Sequence, residues 1–217
     1  SAPAARPRAT TDWLALGAAL ITVVMWASAF VGIRAAGADL SPGALAFGRL
    51  VVGSLALGAV ALLRQGPLPR GRERWLTVAT GVVWFGGYNL SLNAAERLVD
   101  AGTASMLVTT APLLIVVLAG VFLREGFPPR LLVGSLIAFA GAIAIGLATS
   151  GASRGPDATL GIVLSLAAAF TYAAGVVIEK PALRTAPALQ VTWLACVVGM
   201  IVTSPFAPQL LAELPQV

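Results

Sequence analysis

Seven stretches of apolar residues follow one another along the chain, separated by short segments rich in Pro, Gly and charged residues. Each stretch has about the 20 residues that a helix needs to cross the roughly 30 Å hydrocarbon core of a bilayer. We therefore predict an all-α polytopic membrane protein with seven transmembrane helices. The predicted spans are Trp13–Ile33, Gly43–Leu63, Trp75–Ala95, Ala101–Leu123, Leu131–Ala148, Leu160–Ile178 and Leu189–Phe206.

The composition argues against a water-soluble helical bundle. Of the 217 residues, 58% are hydrophobic and only 11% are charged, which is too few charges to cover a soluble surface of this size. A cleaved signal peptide is disfavoured, because the first apolar run is too long and Arg34 interrupts it before the small residues that follow. The single cysteine, Cys196, falls within the seventh span and is interpreted as a packing residue.

The positive charges are concentrated on one side of the predicted membrane. Of the 14 Lys and Arg residues, those on the side of the N-terminus are Arg6, Arg8, Arg64, Arg70, Arg72, Arg74, Arg124, Arg130, Lys180 and Arg184. Basic loops remain on the cytoplasmic side, so we predict a multi-pass protein of the bacterial inner membrane with a cytoplasmic N-terminus. The net charge of +5 is therefore a topology signal, and no nucleic-acid partner is expected.

The residues that most enzyme mechanisms require are missing from the sequence. It contains no histidine, which excludes Ser-His-Asp triads, His-based metal sites and histidine proton relays. No acidic residue lies in the middle of a predicted span, and there is no phosphate-binding loop of the Gly-x-x-x-x-Gly-Lys-Ser/Thr type. We predict that the protein is not an enzyme and uses neither a cofactor nor a metal.

Aromatic and hydroxyl side chains recur at helical spacing in the first, third, fourth and sixth spans. The candidate substrate-binding residues are Trp26, Phe30, Trp84, Tyr88, Ser105, Thr109 and Tyr172. Residues four apart share one face of a helix, so these side chains could line a pocket. Helix packing or lipid contact is the alternative for each aromatic ring. Asn89 and Asn93 are expected at the outer interface, where polar groups meet water.

Pro112 lies in the fourth span and cannot donate a hydrogen bond to the carbonyl of Val108. We therefore expect this helix to bend near the middle of the membrane. Exposed backbone at that depth is tolerated only against protein or a water-filled cavity. Ser105 and Thr109 could then line a cavity, or their hydroxyls could bond back to their own helix at a packing kink.

Two charged residues are candidate gating elements. Arg49 lies about 9 Å inside the second span at 1.5 Å per residue, a depth at which a charge is usually paired. Asp39, Glu96 and Asp100 are its expected partners, in a structural ion pair or an outer gate. Glu125 follows the fourth span and is interpreted as structural or as part of an inner gate.

The sequence resembles the drug/metabolite transporter superfamily, and within it the EamA-type exporters. The first two spans contribute Trp26, Arg34 and Arg49 to the resemblance. The longer match consists of Tyr88, Ala94, Ala101, Ala104, Ser105, Pro112, Leu123, Glu125, Gly134 and Gly141. Members of this family have ten helices, built as two inverted five-helix repeats around a central substrate cavity.

The resemblance implies a division of the chain into repeats. Residues 13–148 would form the first five-helix EamA-like repeat, 149–159 a linker, and 160–217 a partial second repeat of two helices. The fold would then be incomplete at the C-terminus, because helices eight to ten of the family pattern are missing from this sequence. In inverted repeats the sixth span would be the counterpart of the first.

The expected function is export of a small metabolite through a central cavity by alternating access. The aromatic amino-acid exporters are the branch that the resemblance suggests, which makes an amino acid the candidate substrate. The expected partners are a small-molecule substrate and the lipid bilayer, and homo-oligomerisation is left open. The alternative is a non-transporting membrane scaffold or partner-binding protein. Since no buried carboxylate was identified as a proton carrier, facilitated diffusion is favoured over coupling within this chain.

Overall fold

The computed structural model describes residues 13–149 and 157–216, and this part of the chain contains helices and no strand. The helices are α1 (Trp13–Ala36), α2 (Pro42–Arg64), α3 (71–98), α4 (Ala101–Phe122), α5 (Pro129–Thr149), α6 (Ala158–Ala182), α7 (Ala188–Thr203) and the short α8 (Ala207–Glu213). Each of the seven predicted spans coincides with one of α1 to α7. The prediction of an all-α polytopic protein is thus confirmed. By length and composition, α1, α2, α4, α6 and the combined α7–α8 segment are each able to cross a membrane.

Local sequence signals explain where several helices begin and end. Ser41 caps α2, its hydroxyl accepting a hydrogen bond from the Ala44 N–H at 3.4 Å, and Pro42 follows at the first helical position. Asp100 caps α4 in the same way, with its Oδ1 accepting from the Thr103 N–H at 2.9 Å. At the other end of α2, Gln65 adopts the left-handed conformation, with a φ of 44°, that stops a helix.

Three spans depart from regular α-helix. The middle of α3, Gly81–Tyr88, is a π-helix between the α-helical segments Gly71–Thr80 and Asn89–Leu98. The α-helix of α4 is interrupted between Val108 and Ala111, which is where Pro112 predicted a bend. The α-helix of the seventh span ends at Thr203 and is followed by a 3₁₀ turn and α8.

The bundle is organised around α6. One side of α6 packs against α3 and the other against α4, while α7 packs between α2 and α3. The buried residues are mostly alanines and other small side chains, which allow close helix approach. In contrast, α1 packs mainly against the C-terminal segment of α3 and the N-terminal segment of α4, and its Trp26 ring reaches α6. Ile33 is its buried residue.

The exterior of the bundle is apolar. Side chains such as Leu14, Val31, Leu55 and Leu63 are at least 70% exposed, and each lies on a membrane-length helix. Apolar surface of this extent is unfavourable in water but suits contact with lipid acyl chains. The outer surface therefore agrees with the membrane location that the sequence predicts.

The bundle has two distinct ends. The Glu96 end contains the last residues of α1 and α3 and the first of α2 and α4; the Glu125 end contains the last residues of α4 and α6. Residues 150–156, within the predicted linker, lie outside the described residues. The division into two inverted repeats remains a prediction.

Candidate functional site

Four of the predicted site residues form one aromatic cluster, centred on Tyr172 of α6. The Tyr172 ring lies 5.4 Å from the Trp26 ring, 5.1 Å from the Trp84 ring and 5.8 Å from the Tyr88 ring, measured between centroids. These distances are within the range of favourable aromatic pairs, each of which contributes about 0.5–1.5 kcal/mol. The cluster thereby joins α1, α3 and α6, as their aromatic spacing suggested.

Two backbone features place the Trp84 ring in this cluster. The first is the π-helix Gly81–Tyr88, which contains Trp84 and changes the angular position of the side chains that follow. The second is Gly175 of α6, where an added Cβ would lie 2.4 Å from the Trp84 Cβ. Only glycine at this position lets α6 approach α3 closely enough for the Trp84 and Tyr172 rings to meet.

A cavity of about 460 Å³ lies between α1 and α4, beside the aromatic cluster. Its lining residues are Val23, Trp26, Ala27, Phe30, Ala101, Gly102 and Ser105. Trp26 belongs both to this cavity and to the cluster, so the two are contiguous. Phe30 also packs against the buried core around Ile33. Tyr88 and Thr109 are not among the lining residues, so the structure connects Tyr88 to the cavity only through the aromatic rings.

The hydroxyl groups of α4 bond back to their own helix. The Ser105 hydroxyl donates to the Gly102 carbonyl at 2.9 Å, and the Thr109 hydroxyl donates to the Ser105 carbonyl at 2.8 Å. At the interruption the Thr110 hydroxyl donates to the Leu107 carbonyl at 2.7 Å. This is the arrangement expected of a packing kink. Ser105 also lines the cavity, and each hydroxyl oxygen retains the capacity to accept a hydrogen bond.

The hydrogen-bond partner of Arg49 in the structure is an amide, which the sequence did not predict. The Arg49 Nη1 donates to the amide oxygen of Asn93 at 3.3 Å, whereas the Glu96 carboxylate makes no hydrogen bond among the described residues. Asn93 in turn donates to the Pro42 carbonyl at 3.2 Å, which joins α3 to the start of α2. Asn89 and Asn93 are both buried between helices, so their amides do not contact water as the interfacial interpretation expected. The half-buried guanidinium of Arg49 is thus hydrogen-bonded to a buried, neutral amide.

The structure also reveals buried carboxylates that sequence reasoning missed. Glu96 at the end of α3 is 4% exposed, and Glu179 near the end of α6 is 7% exposed. Both lie within a few residues of a helix end. The last turns of α3 and α6 pack against neighbouring helices, which buries both side chains.

Glu125 forms an ion pair that links α4 to α6 at the Glu125 end. Its Oε2 lies 2.6 Å from the Lys180 Nζ, and its Oε1 lies 3.5 Å from an Arg184 nitrogen. The sequence predicted a structural or gating role for Glu125 but did not identify these partners. The pair closes one side of a small cavity of about 70 Å³ that is lined by Ile115 and Val116.

We predict that Glu125→Gln opens this end of the bundle with little loss of stability. The side chains of Glu125 and Lys180 are 33% and 38% exposed, and ion pairs in contact with water typically contribute about 0–1 kcal/mol. The measurement is the rate at which a polar thiol reagent labels an Ile115→Cys variant, together with its thermal unfolding. Labelling should be faster with Glu125→Gln and unchanged with Glu125→Asp, which keeps the charge. Equal labelling rates for the two variants would contradict a gating role.

The described helices, with their apolar exterior, define a polytopic helical membrane protein. The model of the EamA-like transporter family matches residues 13–147 of this chain. The chain belongs to the EamA-like transporter family, which is a family of transporters and not a class of enzymes. The resemblance noted in the sequence is confirmed. The matched region contains α1 to α4 and nearly all of α5.

Three curated proteins are similar over most of this chain. The uncharacterized transporter YdfC of Bacillus subtilis is 35% identical over 151 residues, which cover 70% of this chain and 48% of that protein. A protein of Streptantibioticus cattleyicolor named "probable terminal-alkyne amino-acid exporter" is 34% identical over 89% of this chain and 64% of its own length. An uncharacterized transporter of Archaeoglobus fulgidus is 28% identical over 93% of this chain and 69% of its own length.

The chain spans between about half and two thirds of the length of these relatives. No solved structure matches the chain. The family assignment therefore rests on sequence similarity. The helical architecture described above is a separate observation that agrees with it.

Proposed function

We propose that this chain belongs to an exporter that moves a small amino acid-like metabolite across the bacterial inner membrane by alternating access. The aromatic cluster and its adjoining cavity carry the proposal. Four rings from three helices meet where an apolar or aromatic side chain of a substrate could stack. The relative named as an amino-acid exporter supports the substrate class.

The site has the properties of a substrate pocket. Small-molecule sites are mostly apolar concavities of about 300–1,000 Å³ with a few polar groups that fix orientation. The cavity beside Trp26 has a volume of about 460 Å³, and Ser105 supplies a hydroxyl in an otherwise apolar lining. A substrate side chain could occupy this space with one face against Trp26 and Phe30.

The arrangement of the two ends suggests how access alternates. At the Glu125 end, the ion pair of Glu125 with Lys180 holds α4 against α6. The cavity beside Trp26 lies towards the other end, between the second half of α1 and the first residues of α4. If the N-terminus is cytoplasmic, this conformation is closed to the cytoplasm and open outward. Breaking the Glu125 pair would begin the reverse movement around a fixed site, as in other transporters with repeats.

Cysteine accessibility distinguishes this proposal from the scaffold alternative. A Trp26→Cys variant should be labelled by a membrane-impermeant polar thiol reagent, and phenylalanine should slow the labelling. The same experiment at Tyr88 and Thr109 tests whether water reaches the deeper residues when the transporter changes conformation. The native Cys196 is 3% exposed, so the unmodified chain should give little background.

A lipid-facing position on the same helix provides the control. Val31 of α1 is 70% exposed on the apolar exterior of the bundle. In a membrane this surface faces lipid, which a polar reagent does not enter, so Val31→Cys should remain unlabelled. If cysteines at Trp26, Tyr88 and Thr109 all remain unlabelled, these positions lie in contacts between helices that exclude water. That result would favour a scaffold.

Transport itself can be measured in proteoliposomes with radiolabelled amino acids. The chain should be compared with a version extended to the ten helices of the family, since it spans only part of its relatives. We expect uptake by the extended protein. If neither version transports any amino acid although both fold and bind a partner protein, the scaffold function replaces this proposal.

A further inference from the structure

The carboxyl group of Glu96 is buried without a hydrogen-bond partner. The residue is 4% exposed, and both carboxylate oxygens are shielded from solvent and unpaired among the described residues. Buried polar side chains usually have at least one partner, and an ionised carboxylate buried alone is far more unfavourable than a neutral carboxyl group. This unpaired carboxyl therefore points to a bound proton or to a ligand that is exchanged during function.

The two arginines nearest to this carboxyl group bind other atoms. The Arg34 Nη1 donates to the backbone carbonyls of Glu96 and Val99, at 3.1 and 3.0 Å. Arg49 is held by the side chain of Asn93. The other charged residues on the surrounding elements are Asp39, Arg97, Asp100, Asp157 and Glu213. The charges around Glu96 are therefore of both signs, with three arginines and four acidic residues besides Glu96 itself. Among the described residues, no arginine forms an ion pair with the Glu96 carboxylate.

A cavity at the Glu96 end gives this carboxyl group a route to water. It has a volume of about 270 Å³, and its lining includes Arg34, Asn93, Glu96 and Arg97. A water molecule takes about 30 Å³ in the liquid, so the cavity has room for several. Arg97 is exposed at its rim, whereas the carboxylate oxygens of Glu96 are covered. A small rearrangement at this end would bring the carboxyl group into contact with the cavity water.

Glu96 also lies on the path that a substrate would take from the aromatic cluster to this end. It follows Tyr88 by eight residues in α3, which corresponds to roughly 12 Å along the helix at 1.5 Å per residue. A substrate that leaves the Tyr88 and Trp26 rings towards the Glu96 end passes this carboxyl group. The ammonium group of an amino-acid substrate would be attracted to the Glu96 carboxylate in its ionised form. The carboxylate can therefore bind either this ammonium group or a proton.

We propose that Glu96 is a proton-binding site that exchanges a proton for the cationic amine of the substrate. The inference rests on the proposed export function and adds its coupling ion. In this exchange, the buried carboxyl group carries a proton in the substrate-free protein. Substrate binding releases the proton and pairs the ammonium group with the carboxylate. After the amine leaves outward, a proton from the outer water returns to Glu96, so one proton enters for each amine exported.

Binding of phenylalanine at different pH values tests this exchange, using the whole chain in lipid nanodiscs. If one proton leaves for each phenylalanine bound, affinity should rise about tenfold per pH unit below the titration range of Glu96. Glu96→Gln keeps the shape of the side chain but cannot release a proton, so its affinity should not depend on pH. Asp39→Asn removes an exposed acid at the same end and should behave as the unmodified chain does.

Infrared spectroscopy gives a readout that does not require phenylalanine to bind. The pH-difference spectrum of the unmodified chain should contain a protonated carboxyl band that is lost in Glu96→Gln and retained in Asp39→Asn. If phenylalanine does not bind but this band is present, the substrate class is wrong and the proton site stands. If the band is the same in Glu96→Gln, or if that variant keeps the pH-dependent affinity, the proton-exchange proposal is overturned.

Discussion

Replacement of Gly175 by Val is expected to destabilise the bundle and to abolish substrate binding at the aromatic cluster. A Cβ at this position would lie 2.4 Å from the Trp84 Cβ and 3.3 Å from the Trp84 Cα, so the overlap involves atoms that are fixed by the backbone of α3. Overpacking of this kind typically costs about 1–3 kcal/mol and sometimes more. We expect a cost at the upper part of that range, measured by thermal unfolding in detergent.

Gly134 of α5 provides a matched control, because it is also a helical glycine but an added Cβ would meet nothing within 4 Å. Valine and glycine differ by only about 0.5 kcal/mol in helix propensity, so Gly134→Val should leave stability and binding nearly unchanged. Similar losses for both variants would mean that the effect comes from the helix backbone. The close approach of α6 to Trp84 would then not be what supports the cluster.

The existence of the seven helices could be predicted from the sequence because a membrane imposes a simple rule on length and polarity. An apolar run such as 13–33 has one stable form in lipid, a helix, since every backbone group must be satisfied within the segment. Pro112 predicted the interruption of α4 for an equally local reason, its missing N–H. In both cases the information lies within a few residues of the feature.

Side-chain partners depend on contacts between distant parts of the chain and were harder to predict. Arg49 pairs with Asn93 because α2 and α3 pack side by side, a relation that the spacing of charged residues does not encode. The burial of Glu96 likewise depends on the helices that surround the end of α3. The sequence contained one local signal near the aromatic cluster. Three glycines, Gly81, Gly86 and Gly87, lie close to Trp84 and Tyr88, and all three fall within the π-helix.

The same distinction applies to the candidate site. Aromatic residues four apart in α1 and α3 indicated which faces could meet, and the structure places Trp26, Trp84 and Tyr88 around Tyr172. Thr109 carries a similar signal but is not among the cavity-lining residues. Helical spacing determines the face on which a side chain lies, whereas its depth relative to neighbouring helices depends on their packing.

Tyr172→Ala is expected to reduce amino-acid binding more than removal of any other single ring, because Tyr172 is the ring that the other three share. Each aromatic pair contributes about 0.5–1.5 kcal/mol, so the loss of three pairs leaves Trp26, Trp84 and Tyr88 without a common support. We expect at least a roughly tenfold lower affinity for phenylalanine, equivalent to about 1.4 kcal/mol. The measurement is equilibrium binding to the folded protein, normalised by thermal unfolding of the same sample.

Two variants separate a binding role of Tyr172 from a general role in packing. Tyr172→Phe keeps the ring and should retain nearly full affinity, whereas Phe170→Ala removes an aromatic residue of α6 that is 53% exposed on the apolar exterior. If Phe170→Ala reduces binding as much as Tyr172→Ala does, the loss reflects a general effect on α6. If Tyr172→Ala lowers the unfolding temperature but leaves affinity unchanged, the cluster is a packing core. The substrate would then have to bind on the cavity surface formed by Phe30 and Ser105.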